Sequence, residues 1–295
     1  MLIFDPLHLA ALAAVHRRGS FDLAAAELGV TQSAVSQRLR ALEDRAGTLL
    51  IRRGNPSQAT EAGLRLIRHF DEVVLLERQV ATDLPGVQVG DVNLRIAVNA
   101  DSLATWVIPA LAQVPGVLFD LVIDDQDFSQ DWLRRGEVAA AVTAHSGPLQ
   151  GCDTLPLGAL RYIATASPAF MARWFPSGVT ADALSKAPAL TFSDKDRLQA
   201  HWVAARRLGL RSGFPSHRIA STHGFVDASL HGLGWGLNPE PLVAAHLAAG
   251  RLVEVVPNSP LDVGLHWQFA RLTAGAIQPL TRAMRTAAAQ MLRIQ

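Results

Sequence analysis

The sequence predicts an N-terminal all-α domain with a long linker helix, followed by a larger α/β domain of two lobes. The first eighty residues carry apolar side chains at helical spacing, whereas the last two hundred alternate between strand-like and helix-like segments. A length of 295 residues exceeds the usual size of one domain. Hydrophobic residues make up 49% of the chain, which is enough to form a buried core in each domain. The predicted units are 1–63, the linker helix at 60–82, a hinge at 83–91 and the α/β domain at 92–295.

A three-helix unit is predicted at the N-terminus. Its first helix would run from Pro6 to about Arg18, because proline fits the first turn of a helix. Two further helices would lie between 21 and 45, joined by a tight turn at Gly29, which can adopt the left-handed conformation that ends a helix. The last of these carries an apolar stripe that would face the preceding helix, formed by Val35, Leu39 and Leu42.

The opposite face of that last helix carries polar side chains. Glutamine can pair with adenine, arginine with guanine, and serine with phosphates or bases. The candidate DNA contacts on this face are Gln32, Ser33, Ser36, Gln37 and Arg40. An ordinary amphipathic helix pair is the alternative, but the turn and the apolar stripe agree with a recognition helix. The sequence therefore predicts binding to double-stranded DNA through a helix-turn-helix.

A wing is predicted after the recognition helix. A short apolar strand at 49–51 is followed by turn-forming residues at 52–58 and by a return into a helix at 59–63. Arg52 and Arg53 are the candidate phosphate contacts there. The formal net charge is only +1, so attraction to DNA must come from the local placement of arginines.

The linker helix from Thr60 to about Ala81 carries a long apolar face. Its members are Leu66, Phe70, Val73 and Val80, with Ile67 and Val74 beside them. Alone, this helix would expose that face, so we expect it to pack against its twin in a homodimer. A two-fold protein also suits a palindromic DNA site.

The α/β domain is predicted to contain a largely parallel sheet. Strands at 92–98, 117–123 and 138–143 alternate with helices at 102–113 and 130–135. Further strands are expected at 189–192, 217–220, 235–237 and 252–256. The first lobe would comprise about 92–163 and 264–295, and the second about 164–263. Two such lobes enclose a cleft, the usual place for a small ligand.

Three N-terminal segments of the chain resemble a known family of proteins. The segments AAAELGVTQSAVSQRLRALED, LLIRR and ATEAG resemble the winged helix-turn-helix of LysR-type transcriptional regulators, and the resemblance extends over the whole chain in domain order. The segments LRIAVNADSLATWVIPAL and LRRGEVAAAV are similar to the ArgP, or LysG, branch, which responds to arginine and lysine. Ala139 stands where many family members have aspartate, and this branch also lacks that aspartate.

The resemblance implies several properties. The α/β domain would have a periplasmic-binding-protein-like fold and bind a small-molecule effector, most simply L-arginine or L-lysine. The protein would form a homodimer or homotetramer, bind promoter DNA, work with RNA polymerase and regulate a basic amino-acid exporter or a related gene. A LysR-type regulator that senses another amino acid or an organic acid remains the alternative.

The start of the first α/β helix is a candidate site for an effector carboxylate. Asn99, Asp101 and Ser102 stand between a strand and that helix, whose free N–H groups favour an anion. Ordinary capping by Asp101 or Ser102 is an equal alternative.

A cationic effector would also need acidic contacts. Asp124 and Asp125, with Asp127 beside them, follow the second strand at the same edge of the sheet. A solvated acidic loop is the alternative interpretation. The remaining candidate cleft residues, at the ends of other elements, are Thr143, Phe192 and His223.

Several other functions are not supported by the sequence. Cys152 is the only cysteine, which excludes an intramolecular disulfide and a multi-thiolate metal site. There is no HExxH, GxSxG or P-loop pattern, so we predict no enzymatic activity, no cofactor and no metal. No signal peptide or membrane span is visible, which predicts a cytoplasmic protein with no membrane partner. A non-DNA-binding small-molecule receptor is the remote alternative, disfavoured by the first 82 residues.

Overall fold

A computed structural model describes residues 3–82, 84, 90–147, 149–207 and 213–294. Its N-terminal part is helical, with one short pair of strands. In chain order, the elements are α1 (Pro6–Arg18), α2 (Phe21–Leu28), α3 (Gln32–Ala46), β1 (Ile51–Arg52), β2 (Gln58–Ala59) and α4 (Glu61–Thr82). The predicted three-helix unit is therefore confirmed.

The turns of this unit follow from local hydrogen bonding. Gly29 ends α2 at φ +63°, as predicted. The Thr31 hydroxyl accepts a hydrogen bond from the Ala34 N–H at 3.2 Å and so caps α3. The predicted apolar stripe on α3 is buried against α1 and α2, together with Leu12.

The strand predicted at 49–51 begins later than expected. The Glu43 carboxylate accepts hydrogen bonds from the N–H groups of Leu50 and Ile51 at 2.8 and 3.3 Å. Only Ile51 and Arg52 then pair with β2, in antiparallel register. Leu49 is 69% exposed, so it does not belong to the buried side of a strand.

The linker helix α4 takes part in both hydrophobic cores. Ile67 is buried with the N-terminal helices, whereas Leu75 is buried with the α/β domain. Leu66 and Phe70 pack against the N-terminal core and are half-buried, and Val80 is 60% exposed. The predicted apolar face is thus partly covered within one chain. The predicted hinge at 83–91 lies mostly outside the described residues.

The α/β domain alternates strands and helices. Its strands are β3 (Val92–Val98), β4 (Val117–Ile123), β5 (Ala140–Thr143), β6 (Cys152–Ala166), β7 (Ala189–Thr191), β8 (Ser216–Arg218), β9 (Gly236–Pro239), β10 (Val253–Glu254) and β11 (Leu261–Ala270). Its α-helices are α5 (Ala100–Ser102), α6 (Ile108–Leu111), α7 (Ser129–Arg135), α8 (Pro168–Trp174), α9 (Ala181–Leu184), α10 (Leu198–Ala205), α11 (Thr222–Leu230), α12 (Glu240–Ala248) and α13 (Gln278–Met291). A π-helical turn, Leu103–Val107, joins α5 to α6, so this helix starts before the predicted residue 102.

The prediction of a largely parallel sheet is wrong. Strand β3 is parallel to β4 and β5, but β11 runs antiparallel to both β5 and β6. The strand order is β10-β6-β11-β5-β3-β4, with β9 also paired to β6, while β7 and β8 form a separate parallel pair. The sheet is therefore mixed.

The 15-residue strand β6 was not predicted. Pro156 and Gly158 lie within it, residue types that disfavour the interior of a strand, and the structure accommodates both at an irregularity. The register with β11 shifts between Leu265 and His266, opposite this point, and Gly158 adopts φ +118°. The predicted boundary between the lobes, near 163, falls inside β6.

Large aromatic side chains fill the main core of the α/β domain. Trp106, Trp202, Trp235 and Trp267 are almost fully buried in it. Trp267 donates a hydrogen bond to the Thr281 hydroxyl at 3.1 Å, and Trp202 donates to the Ser259 carbonyl at 2.7 Å. This packing joins α13 and α10 to the sheet. None of the helices in the described ranges is long and apolar enough to cross a membrane.

Candidate functional site: a recognition helix and an acidic cleft

The polar face of α3 is open to solvent. Gln32, Ser33, Gln37 and Arg40 are exposed, and Ser36 is half-buried. The Ser33 hydroxyl lies 3.1 Å from that of Thr31, the capping residue, at the start of the helix. The predicted base-contacting side chains thus share one accessible surface.

Two arginines extend this surface along the β1–β2 pair. Arg52 and Arg53 are exposed, and the Arg53 guanidinium carbon lies 5.1 Å from the centre of the Phe21 ring. Among the described residues, Arg40 and Arg52 form no ion pair. Their charges are therefore available to phosphates.

His16 of α1 holds the base of the strand pair. Its Nδ1 accepts a hydrogen bond from the Ala59 N–H at 3.2 Å. Burial, followed by the positive charges of Arg95 and Arg17, lowers the pKa of His16. The ring is thereby kept neutral, as this acceptor role requires.

A narrow cleft lies at the carboxyl ends of β3 and β4, facing β7, α10 and α11. Its polar lining includes Asn99, Asp101, Asp124, Asp125, Asp196 and Thr222, and Phe192 and Phe225 contribute aromatic surface. The structure therefore brings five predicted residues together: Asn99, Asp101, Asp124, Asp125 and Phe192.

Asp101 joins two parts of the domain. Its carboxylate accepts hydrogen bonds from the Tyr162 hydroxyl at 2.8 Å and from the Thr222 hydroxyl at 2.7 Å. Burial raises the pKa of Asp101, although both hydrogen bonds favour its ionised form. Burial and the neighbouring Asp101 raise the pKa of Tyr162, which keeps its hydroxyl a donor.

Side-chain capping, the alternative interpretation of this helix start, is not observed. Asn99 occupies the cap position, and no side chain of the described residues caps the helix there. The Asn99 amide donates instead to the Gln126 side chain at 3.3 Å. The Ser102 hydroxyl is buried without a hydrogen-bond partner among the described residues.

Asp124 accepts three hydrogen bonds at the edge of the cleft. The donors are the Trp132 indole N–H, the Lys195 ammonium and the Asp125 N–H, each at 2.9 Å. The Lys195 nitrogen also lies 4.5 Å from the centre of the Phe128 ring. Burial alone would raise the pKa of Asp124, but the hydrogen bonds from Trp132 and Lys195 outweigh it and lower that pKa.

Asp125 has the opposite electrostatic character. Burial raises its pKa to about 6, supported by the negative charges of Asp127, Asp196 and Asp124. The hydrogen bond from the Asp127 N–H at 2.9 Å only partly opposes this. The cleft thus holds one firmly ionised carboxylate beside one that titrates near neutral pH.

Four predicted residues lie outside the cleft lining, namely Ser102, Thr143, His223 and Asp127. Thr143 is buried; its hydroxyl donates to the Gln126 carbonyl at 3.0 Å and accepts from the His145 N–H. His223 is exposed on α11, because successive helical residues point about 100° apart and Thr222 is the one that faces Asp101. Asp127 is exposed, and its carbonyl contacts His145.

The sequence did not predict two residues that contact the cleft carboxylates Asp101 and Asp124. Tyr162, the chain's only tyrosine, lies in the unpredicted strand β6. Lys195 was also missed, although the chain has only two lysines against 25 arginines, which marked it as unusual. No group of three or more His, Cys, Asp or Glu side chains that could hold a metal ion occurs in the described part of the chain.

Known protein families match both parts of the chain. Residues 7–64 match the family described as "Bacterial regulatory helix-turn-helix protein, lysR family". Residues 91–293 match the family described as "LysR substrate binding domain".

Full-length relatives are also similar. The HTH-type transcriptional regulator ArgP of Pseudomonas aeruginosa PAO1 is 44% identical over 286 residues, covering 95% of each chain. The crystal structure of ArgP from Mycobacterium tuberculosis is 42% identical, with a TM-score of 0.80 and full coverage of both chains. The full-length LTTR LysG from Corynebacterium glutamicum with bound effector Arg is 34% identical, with a TM-score of 0.69, covering 98% of this chain and 100% of that one.

Proposed function

Because the chain belongs to the LysR family of bacterial helix-turn-helix regulators, we propose that it is a DNA-binding transcriptional regulator controlled by a basic amino acid. The effector is L-arginine or L-lysine. Binding of either in the cleft of the α/β domain changes promoter binding or activation. The gene that it controls encodes a basic amino-acid exporter or a related protein, as the similarity to ArgP and LysG implies.

One contact carries the choice of a cationic effector. The ammonium of Lys195 already lies between the Asp124 carboxylate and the Phe128 ring, at 2.9 and 4.5 Å. A carboxylate beside an aromatic face is a favourable environment for an ammonium or guanidinium group. The arginine bound in the similar LysG structure supports the same assignment.

The α-carboxylate of the effector is assigned to the other side of the cleft. The first N–H groups of a helix lack intrahelical partners, and the helix that follows Asn99 starts at the cleft without a side-chain cap. Thr222 and Asp101 lie close to this helix start and close the cleft through their hydrogen bond.

We assign DNA recognition to the N-terminal domain. The α3 residues Gln32, Ser33, Ser36, Gln37 and Arg40 face the major groove. The β1–β2 pair acts as a wing, from which Arg52 and Arg53 reach phosphates. This assignment is supported by the shared exposed surface and by the uncompensated charges of Arg40 and Arg52.

The remaining properties are proposed from the family. The protein acts as a homodimer or homotetramer in the cytoplasm, contacts RNA polymerase at the promoter and has no catalytic role. The α/β domain works as two lobes of periplasmic-binding-protein-like fold, connected through β6 and β11.

Calorimetry on the full chain tests the effector. We expect heat of binding with arginine or lysine and none with citrulline, which has nearly the shape of arginine without its charge. Asp124→Asn and Asp125→Asn should each weaken binding at least several-fold, because they remove carboxylates from the cation site.

Asp182→Asn is the matched control. Asp182 pairs with Lys186 at 2.8 Å on α9, outside the cleft lining, so its loss should leave arginine affinity unchanged. Normal binding by both cleft variants would place the cation site elsewhere. Heat with a neutral or acidic ligand alone would favour a regulator with a different effector.

A further inference from the structure

Lys195 is one of only two lysines in the chain, and its side chain contacts Asp124, a carboxylate of the cleft lining. Its ammonium lies 2.9 Å from an oxygen of Asp124 and above the Phe128 ring. Asp124 follows β4, whereas Lys195 follows β7 by four residues. The ion pair therefore joins the end of β4 to the segment after β7 whose residues Phe192 and Asp196 line the cleft that the effector is proposed to enter.

The backbone around Lys195 is held in place. The Asp196 carboxylate accepts hydrogen bonds from the N–H groups of Phe192 and Leu198 at 2.8 and 3.0 Å. The Lys195 N–H donates to the Ser193 hydroxyl at 3.1 Å. The side chain can leave Asp124 by rotating into solvent, without unfolding this turn.

The site formed by Asp124 and the Phe128 ring holds one cationic group, the Lys195 ammonium, and a second one would be repelled by it. Oδ2 of Asp124 accepts a hydrogen bond from Trp132, and Oδ1 accepts from both Lys195 and the Asp125 N–H. A second cationic group at Asp124 would meet the like charge of Lys195 and would compete with it for Oδ1, which already accepts two hydrogen bonds. An arginine or lysine that takes this position therefore displaces Lys195.

We propose that Lys195 is a built-in competitor for the cationic end of the effector, and that it sets the effector's affinity and its charge selectivity. The inference rests on the proposed function, since it requires a cationic ligand in this cleft. In the ligand-free protein, Lys195 occupies the cation site. A basic amino acid displaces it, whereas a neutral one leaves it in place.

The competition should be measurable but modest. The Lys195 side chain is 46% exposed and that of Asp124 is 18% exposed. Partly exposed ion pairs contribute little free energy, because water screens them and the long lysine side chain loses freedom. Removing such a competitor corresponds to about two- to fivefold tighter binding.

Calorimetry with three full-length proteins tests the proposal: the parent chain, Lys195→Gln and Lys186→Gln. Lys186 is the matched control because it also pairs with an aspartate, Asp182, at 2.8 Å, but on α9. We expect Lys195→Gln to bind arginine about two- to fivefold more tightly and Lys186→Gln to match the parent. Citrulline should gain nothing from either change.

A second measurement follows the lysine itself. Reductive ¹³C-methylation keeps the positive charge and labels both lysines and the amino terminus. Addition of arginine should shift the Lys195 methyl signal toward that of a solvated lysine and leave the Lys186 signal in place. Lys195→Gln and Lys186→Gln assign the two signals.

The outcomes separate this inference from the proposed function. Equal arginine affinity in all three proteins, with an unmoved Lys195 signal, would overturn the competitor and keep the effector. Weaker binding by Lys195→Gln would show that Lys195 holds the effector instead, which also overturns the competitor. Absence of arginine and lysine binding in all three proteins would remove both proposals.

Discussion

Asp125 makes the cleft sensitive to pH near neutrality. Its pKa is raised from 3.8 to about 6, first by burial and then by the charges of Asp127, Asp196 and Asp124. The folded protein therefore holds this proton more tightly than the unfolded chain does. The resulting contribution to stability is fully present below pH 3.8 and is lost as the pH rises through about 6.

The same shift predicts proton release upon effector binding. A cation placed beside Asp125 favours the ionised carboxylate, so arginine affinity should rise between about pH 5 and 7. Calorimetry at pH 6 in two buffers of different ionisation enthalpy measures the protons released. We expect a fraction of one proton for the parent chain and a smaller fraction for Asp125→Asn. Equal release by both proteins would assign the titration to another group.

Arg40 gives the corresponding prediction for DNA. Arg40→Ala should weaken binding to a duplex selected from random DNA by this protein, by about 1–3 kcal/mol if the side chain contacts a base. Anisotropy titrations at fixed salt measure the loss. Arg173→Ala, which removes an exposed arginine from α8, is the control and should have no effect. Unchanged affinity of Arg40→Ala would remove Arg40 from the contacts.

The sequence identified those cleft residues whose position follows from a single strand or helix. Asp124 and Asp125 directly follow a strand whose bounds were predicted correctly, so their place at the sheet edge followed directly. Tyr162 and Lys195 contact Asp101 and Asp124 only through the packing of segments 61 and 71 residues apart in the chain. No local pattern contains that information.

Among the elements, the junction of the β1–β2 pair with α4 is tightly packed. A Cβ atom on Gly63 would overlap the carbonyl oxygen of Leu50. The Thr60 hydroxyl fixes the same junction by donating to the Leu49 carbonyl at 2.8 Å and accepting from the Gly63 N–H at 3.1 Å. The geometry of the proposed wing relative to α4 therefore depends on this glycine.

Gly63→Ala should destabilise the N-terminal domain. Overpacking of this kind costs about 1–3 kcal/mol, which lowers Tm by several degrees. Differential scanning calorimetry measures the change, and DNA affinity should fall with it. Gly147→Ala is the matched control, since an added Cβ there meets no atom within 4 Å. An unchanged Tm for Gly63→Ala would show that the junction relaxes freely.

The elements were predicted best where one pattern dominated. α1 and the strands β3 and β4 have the expected bounds, because helix caps and apolar runs were unambiguous. Strand β6 was missed because Pro156 and Gly158 interrupt its pattern. Without β6, the antiparallel half of the sheet could not be predicted, because β9, β10 and β11 all pair with β6.

In the whole molecule, α4 is the physical connection between the cleft domain and the DNA-binding domain. Asp71 of α4 forms an ion pair with Arg17 of α1. The Arg68 guanidinium lies against Gly136, which ends α7, and α7 carries the Trp132 that donates to Asp124. A displacement of α7 on effector binding would therefore shift Arg68 and with it α4, the helix that leads to the DNA-binding domain.

Through this connection, we propose, one molecule joins DNA binding to recognition of a basic amino acid. The most direct test is an anisotropy titration of the full chain on its selected duplex, repeated with arginine, lysine and citrulline. We predict specific DNA binding that arginine or lysine alters and citrulline does not. Specific binding indifferent to both basic amino acids would contradict the effector, and absence of specific DNA binding would contradict the regulator itself.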